Sequence, residues 1–319
     1  MSFPGGARLV RQGETSRGAF LIRTGEVEAQ VALPGGGVLT VAELGEGDMF
    51  GEMALIERGV CSASVVARSQ VEGWFIERED FRAMVASRDP GALEMQRAIT
   101  AILAAKLRSV SAKVREHPAA EDRPADEARQ TPAQGNAPAF AWRAFLSILP
   151  FFHGFDAYEI DDLVQHARAL EFQRGAWLFA AGAIAPACYL VVRGAVEVLS
   201  IRGALQRRIA LAGPGELVGY LALLEGAPHA AHARVRERAC LLEFPKAAFL
   251  KIYEGSSRTA VNVQHAIHRS LLHSLARTNT QLTRLISHAR LAAAPREAVE
   301  LETALHAQLW RAEENVNSS

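Results

Sequence analysis

Residues Gly47–Val65 read GDMFGEMALIERGVCSASV, and residues Gly215–Ala233 read GELVGYLALLEGAPHAAHA. At an offset of 168, Gly47 and Gly51 fall in step with Gly215 and Gly219, and Ala54-Leu55 with Ala222-Leu223. Upstream, FLIRTGEVE (Phe20–Glu28) matches YLVVRGAVE (Tyr189–Glu197) at an offset of 169, which sets Gly13 against Gly182 and Gly25 against Gly194. Downstream, Phe81 falls against Phe249. The one-residue change lies between the two blocks, where a hairpin loop absorbs it. A repeat this long is a duplicated domain and not a short-period solenoid.

Each copy alternates short apolar strands with glycine turns. AFLIRTGEVEAQVAL, PGGG and VLTVAEL predict a hairpin, and CYLVVRGAVEVLSI, RGALQ and RRIALA predict its counterpart. Each copy then turns helical. Met95, Ile99, Ile102, Leu103, Leu107 and Val110 recur at helical spacing in the first. Ile267, Leu271, Leu275, Leu282 and Leu285 do so in the second. Ala294-Pro295 starts a last helix carrying Val299, Leu301, Leu305 and Leu309. The second copy is preceded by FAWRAFLSILPFFHGFDAYEIDDLVQHARAL, which reads as two short helices. The first copy has no counterpart of it, so apolar surface there needs another cover.

Between the copies, Glu116–Ala139 holds Pro118, Pro124, Pro132 and Pro138 among Ala, Glu, Asp and Arg. With almost no large apolar residue it cannot offset its own ordering entropy, and we read it as an exposed, partly extended tether. The expected organisation is a first domain over 1–115, a linker over 116–139, a second domain with a long helix over 140–290, and a terminal helix and tail over 291–319. A length of 319 residues suits two domains.

Composition narrows the function. Apolar residues make up 49% and charged residues 22%, an ordinary globular balance. Thirty-five basic residues offset thirty-five acidic ones, so no global field favours nucleic acid or an anionic membrane. The bias of 31 Arg to 4 Lys permits anion recognition without showing it. Cys61, Cys188 and Cys240 are widely spaced, which argues against a disulfide framework and fits a reducing, cytoplasmic setting. The uncharged run Gly175–Val192 approaches membrane-span length, but Gly182 and Pro186 interrupt it and the repeat assigns it to strands. No glycine follows Gly255, and Ser256–Ser319 carries seven Arg against five Glu, which leaves no winged DNA-reading module. No nucleophile–base motif marks an enzyme.

The strands Gly25–Glu28 and Gly194–Glu197, the FGEMAL block at Phe50–Leu55 and the VGYLAL block at Val218–Leu223 carry a resemblance. Over about 3–115 and 142–290 the chain resembles a tandem of cyclic-nucleotide-binding domains. This is the family of the catabolite activator protein and of the regulatory subunit of cyclic-AMP-dependent kinase. The resemblance implies a mixed α+β fold of two antiparallel β-rolls, jelly-roll-like, with flanking helices.

It also implies a site. In this family a short helix offers backbone N–H groups to the cyclic phosphate, a Glu takes the ribose 2′-hydroxyl, and an Arg nine residues later pairs with the phosphate. Transferred to the first copy, the site comprises Gly51, Glu52, Met53, Ala54, Cys61, Ser62 and Ala63, with Cys61 in place of the Arg and Arg58 as a substitute cation. The second copy offers Gly219, Tyr220, Leu221, His229 and Ala230, with neither the Glu nor the Arg. Loss of the Arg weakens binding by roughly ten- to 100-fold or more. Tyr220 is expected to plug the second pocket. His229 and His232 would hold phosphate only when protonated, or serve as loop residues. HAAH and His265-x-x-His268 have metal-like spacing without a third ligand. Glu52 is open to two readings, ligand contact or capping of backbone N–H groups. Thr278, Asn279 and Thr280 face a base, set pairing register, or are solvated.

The expected function is therefore a non-enzymatic sensor of cyclic AMP or cyclic GMP in the first domain. Movement of the helix about Leu93–Val114 would relay the signal to a protein partner or homodimer formed through the C-terminal helices. No cofactor, metal, nucleic acid or membrane is expected. The alternatives are a ligand-free adaptor or dimerisation scaffold and a cyclic di-GMP effector.

Overall fold

The computed structural model describes residues 1–32, 38–56, 60–116, 123–124 and 131–285. The expected PGGG loop, Arg58 and the helix after Pro295 lie outside them.

Two strand layers build the first unit. One runs β1 (Ser2–Phe3), β8 (Val71–Glu77), β3 (Gly18–Thr24), β6 (Met49–Phe50); the other runs β2 (Arg8–Val10), β7 (Ser64–Ala67), β4 (Val27–Ala32), β5 (Val38–Leu44). Every pairing is antiparallel. Phe20, Ile22, Val27, Phe50, Val65 and Val71 fill the space between the layers. The short helix α1 (Met53–Ile56) follows β6, and α2 (Arg78–Ala86) and the long α3 (Pro90–Glu116) follow β8.

After β9 (Arg123–Pro124), 3-10 turns at Trp142–Ile148 and Pro150–Phe152, and α4 (Ala157–Val164), the roll recurs. It consists of β10 (Arg168–Phe172), β11 (Trp177–Phe179), β12 (Ala187–Arg202), β13 (Leu205–Ala212), β14 (Leu217–Val218), α5 (Tyr220–Leu224), β15 (His232–Pro245) and α6 (Lys246–Tyr253). Here β12 and β15 run unbroken through both layers, whereas the first unit divides the same path into β3/β4 and β7/β8. The crossing point needs glycine in both copies. Gly25 and Gly194 have φ of 93° and 84°, and a Cβ there would lie 2.2 Å from Gln70 O and 2.4 Å from Arg238 O. The uncharged run Gly175–Val192 forms β11 and the start of β12, and no described helix is long and apolar enough to cross a membrane.

Two expectations change in detail. The hairpin after β12 turns tightly between Arg202 and Leu205 and not across the whole of RGALQ. Residues within the expected tether attach to the second roll. Arg123–Pro124 pairs with β13, Ala133 N donates to Trp177 O, and Asn136 exchanges backbone hydrogen bonds with Glu171. An extended, proline-bearing segment is suited to such an edge.

The front turns of the second unit bury Leu146, Leu149, Phe151 and Phe152 in the cluster that also holds Leu242. At the equivalent place in the first unit, Trp74 is 55% exposed. That surface is open to solvent among the described residues.

A last described helix, α7, occupies 258–285. It pairs with α3 about the repeat itself. Gln96 Nε2 donates to Gln264 Oε1 at 2.9 Å, and Thr100 Oγ1 lies 2.5 Å from His268 Nε2. Both pairs join residues 168 apart, so each position meets its own equivalent. Ile99 and Ile267, Leu103 and Leu271, and Leu107 and Leu275 continue the register, and all are buried in one core cluster. The two halves of one chain are thus joined helix to helix.

Candidate functional site

The glycine turn and short helix of each candidate site, its cassette, have the same backbone in the two units. Gly51 and Gly219 turn into α1 and α5 with φ of 75° and 83°, a region that favours glycine. In the first unit Arg78 donates to Ala54 O, and Arg82 to Ile56 O at 2.7 Å, so α2 holds the end of α1. Cys61 and His229 are tied down alike. Gly13 N donates to Cys61 O and Cys61 N to Glu14 O; Gly182 N donates to His229 O and His229 N to Ala183 O. The residues at the expected phosphate position are therefore equivalent in three dimensions as well as in alignment.

Their side chains diverge. Glu52 is 2% exposed, and its Oε1 accepts from Lys106 Nζ of α3 at 2.6 Å. Neither sequence expectation named that partner. The carboxylate goes to a helix of the same unit, and Lys106 itself is half exposed. Met53 and Ala54 lie on α1, Ala54 and Leu55 turning into the core. Burial and the nearby Glu14 carboxylate push the Cys61 thiol up, which keeps it neutral. Ser62 and Ala63 follow Cys61 on the bend into β7, Ser62 exposed and Ala63 half-buried.

In the second unit Tyr220 occupies the place of Glu52, and Ser274 of α7 that of Lys106. A charged pair in one copy is matched by two hydroxyl residues in the other. Tyr220 is buried, yet it does not plug the pocket. A cavity of about 170 Å³ remains, lined by Gly219, Tyr220, Leu221 and His229 on the cassette side and by Leu107 and Ser111 of α3 on the other. Tyr220 turns its hydroxyl toward Ser270 and Ser274 without a closed hydrogen bond. Ala230 lines the exposed edge.

His229 stacks face to face on Phe179, ring centroids 3.7 Å apart and 7° from parallel. Burial lowers its imidazole to about 4, so it is neutral at physiological pH and supplies no charge for a phosphate. His232 is lowered for the same reason, and its Nδ1 accepts from Ala181 N at 3.3 Å. His268 is engaged with Thr100 and with Gln96 O, and no metal-like cluster occurs among the described residues. Thr278 is buried against the cavity, and Asn279 and Thr280 are exposed.

Lys106, Ser111, Arg108 and Arg115 of α3 escaped the sequence reading. The repeat held the signal for the first of them, because Lys106/Ser274 changes charge in step with Glu52/Tyr220 at the same offset. The residues of α3 that line the second unit's cavity left no such mark, because they act outside their own copy.

The family described as Cyclic nucleotide-binding domain matches residues 1–88 and 169–256. The Cyclic AMP receptor protein of Thermus thermophilus is 36% identical over 83 residues, which cover 26% of this chain and 38% of that protein. The cAMP-dependent protein kinase regulatory subunit of Blastocladiella emersonii is 21% identical over 248 residues, 77% of this chain and 50% of that protein. The chain thus spans half or less of the length of these relatives. Among solved structures, the regulatory domain of Toxoplasma gondii PKA with cAMP is 20% identical with a TM-score of 0.32, covering 79% of each chain.

Proposed function

The chain belongs to the cyclic nucleotide-binding domain family, in two tandem copies, and from that premise we propose that it is a non-enzymatic regulatory protein whose first unit senses a cyclic nucleotide. Cyclic AMP or cyclic GMP enters the cassette at Gly51–Ala54, with Cys61, Ser62 and Ala63 at the phosphate side. The Lys106–Glu52 pair carries this reading. A ribose hydroxyl that takes the Glu52 carboxylate competes with Lys106, so occupancy of the pocket and the position of α3 are linked. Relatives of this chain include regulators named for cyclic AMP, which supports the ligand class. With Cys61 in place of an arginine, affinity is reduced by about ten- to 100-fold. The relay ends at a protein partner on the outer faces, because the inner faces of α3 and α7 are already paired.

Calorimetric titration with cyclic AMP, cyclic GMP and cyclic di-GMP tests this. One nucleotide should bind saturably to wild type and about tenfold or more weakly to Glu52→Gln, since a charge-assisted contact becomes a neutral one. Absence of heat with every nucleotide would overturn the sensor in favour of a ligand-free adaptor. Heat that persists unchanged in Glu52→Gln would move the site out of the first unit.

A further inference from the structure

The cavity of the second unit is a cassette pocket whose lining cations come from the helices and not from the cassette. On its cassette side Tyr220 Oη and His229 Nε2 are both buried and without a hydrogen-bond partner. Neither is charged at neutral pH, so they offer polarity but no countercharge. The walls are largely apolar, formed among others by Val198, Leu217 and Leu221 of the roll and Leu107 of α3. The cations lie on the helices. Arg108 and Arg115 of α3 and Arg277 of α7 line the cavity. Arg108 pairs with Glu225, and Arg277 with Glu216 at 2.9 Å. Arg115 makes no ion pair or hydrogen bond among the described residues.

Arg115 is half-buried, and burial together with Arg202 and Arg108 lowers its pKa. A guanidinium in that setting gains from an anion more than one in open solvent does, because desolvation strengthens the contact.

We propose that this cavity binds a small apolar carboxylic acid, with its carboxylate on Arg115 at the helix side and its apolar body against the roll. The size fits: about 170 Å³ exceeds the engineered cavity of about 150 Å³ that accommodates benzene. The unpartnered Tyr220 Oη and His229 Nε2 can hydrogen-bond a neutral hydroxyl or carbonyl carried by the acid. This site goes beyond the nucleotide reading and does not depend on it, since Glu52 and Cys61 take no part.

Octanoate, 8-hydroxyoctanoate and octanamide are the probes, titrated calorimetrically into the full chain. Octanoate should bind saturably with one site, and octanamide tenfold or more weakly. Arg115→Gln should bring octanoate down to the level of the amide, and Arg115→Lys should retain part of its affinity. Ser111→Phe, which fills the cavity from α3, should abolish octanoate binding. Thermal melts matching wild type establish that these variants fold. No heat from either acid would overturn the proposal, as would equal binding of acid and amide or an Arg115→Gln variant that binds as wild type does. So would cyclic AMP binding that survives Glu52→Gln but is lost in Ser111→Phe. A Glu52→Gln variant that loses nucleotide binding but still binds octanoate supports a site separate from that of the first unit.

Discussion

Cys61 and His229 stand at the same point of two similar backbones, and neither carries a charge there. Restoring the charge is a sharp test of what the first pocket still holds. Cys61→Arg should raise cyclic AMP affinity by about ten- to 100-fold, because a charge-assisted bond contributes about 1.5–3 kcal/mol. Calorimetry reads this directly, and an unchanged affinity would show that the phosphate does not reach this loop. The histidines make a second prediction. Burial lowers His229 and His265 to about 4 and His268 to about 3. The unfolded chain holds these protons up to the ordinary value of about 6.5 and so binds more of them than the folded chain below it. Stability is therefore complete above about pH 7 and is lost as pH falls from about 6.5 toward 4. Thermal melts across that range should show it. His268→Gln keeps a hydrogen-bonding group beside Thr100 and should make the slope shallower by about one proton.

At the scale of elements, α3 and α7 form the seam that unites the molecule. Gln96, Ile99, Thr100, Leu103 and Leu107 are buried at helical spacing, and so are their equivalents 264, 267, 268, 271 and 275. The facing pairs Gln96–Gln264 and Thr100–His268 are polar in a seam otherwise made of Ile and Leu, a device that fixes register in paired helices. Leu103 is fully buried there, and Leu103→Ala should cost about 2–5 kcal/mol. Both units should lose stability together, seen as one shifted calorimetric transition; a transition confined to the first unit would mean that the seam does not join them. The helical stripes themselves were legible in the sequence, because Ile99, Leu103, Ile267 and Leu271 recur at the right spacing. Which helix each stripe would meet was not, since spacing marks an apolar face and says nothing of its partner. The β-rolls were legible for a firmer reason: Gly25 and Gly194 occupy a crossing that admits no Cβ, so the repeat of glycines is a repeat of backbone geometry.

Over the whole molecule, α3 is a wall shared by two pockets. Lys106 reaches into the first unit at Glu52, and the next residues, Leu107 and Arg108, face the cavity of the second. Arg108 also pairs with Glu225 beyond α5, and Arg207 Nη1 donates to Val114 O at 2.6 Å. A ligand that shifts α3 from one side must act on the other, and such coupling is reciprocal. Saturating octanoate should therefore change the nucleotide affinity of the first unit by about 5- to 150-fold, the usual range of coupling energies. The same factor should appear when the order of titration is reversed. This arrangement explains why half of the site escaped the sequence. The cassette residues lie inside one repeat and are found by alignment, but the second pocket is closed by side chains from the other copy. Tyr220 was expected to be a plug on size alone, and only the path of its ring beside α7 shows the space it leaves.

The relay through α3 is the central claim, and hydrogen–deuterium exchange over residues 100–115 tests it most directly. Exchange is measured with and without the nucleotide that binds, in wild type and in Glu52→Gln at ligand concentrations that saturate each. Nucleotide should change protection along α3 and in the second unit's cassette about Gly219–Leu224 in wild type, and much less in Glu52→Gln. Saturated binding that leaves α3 protection unchanged would contradict the relay.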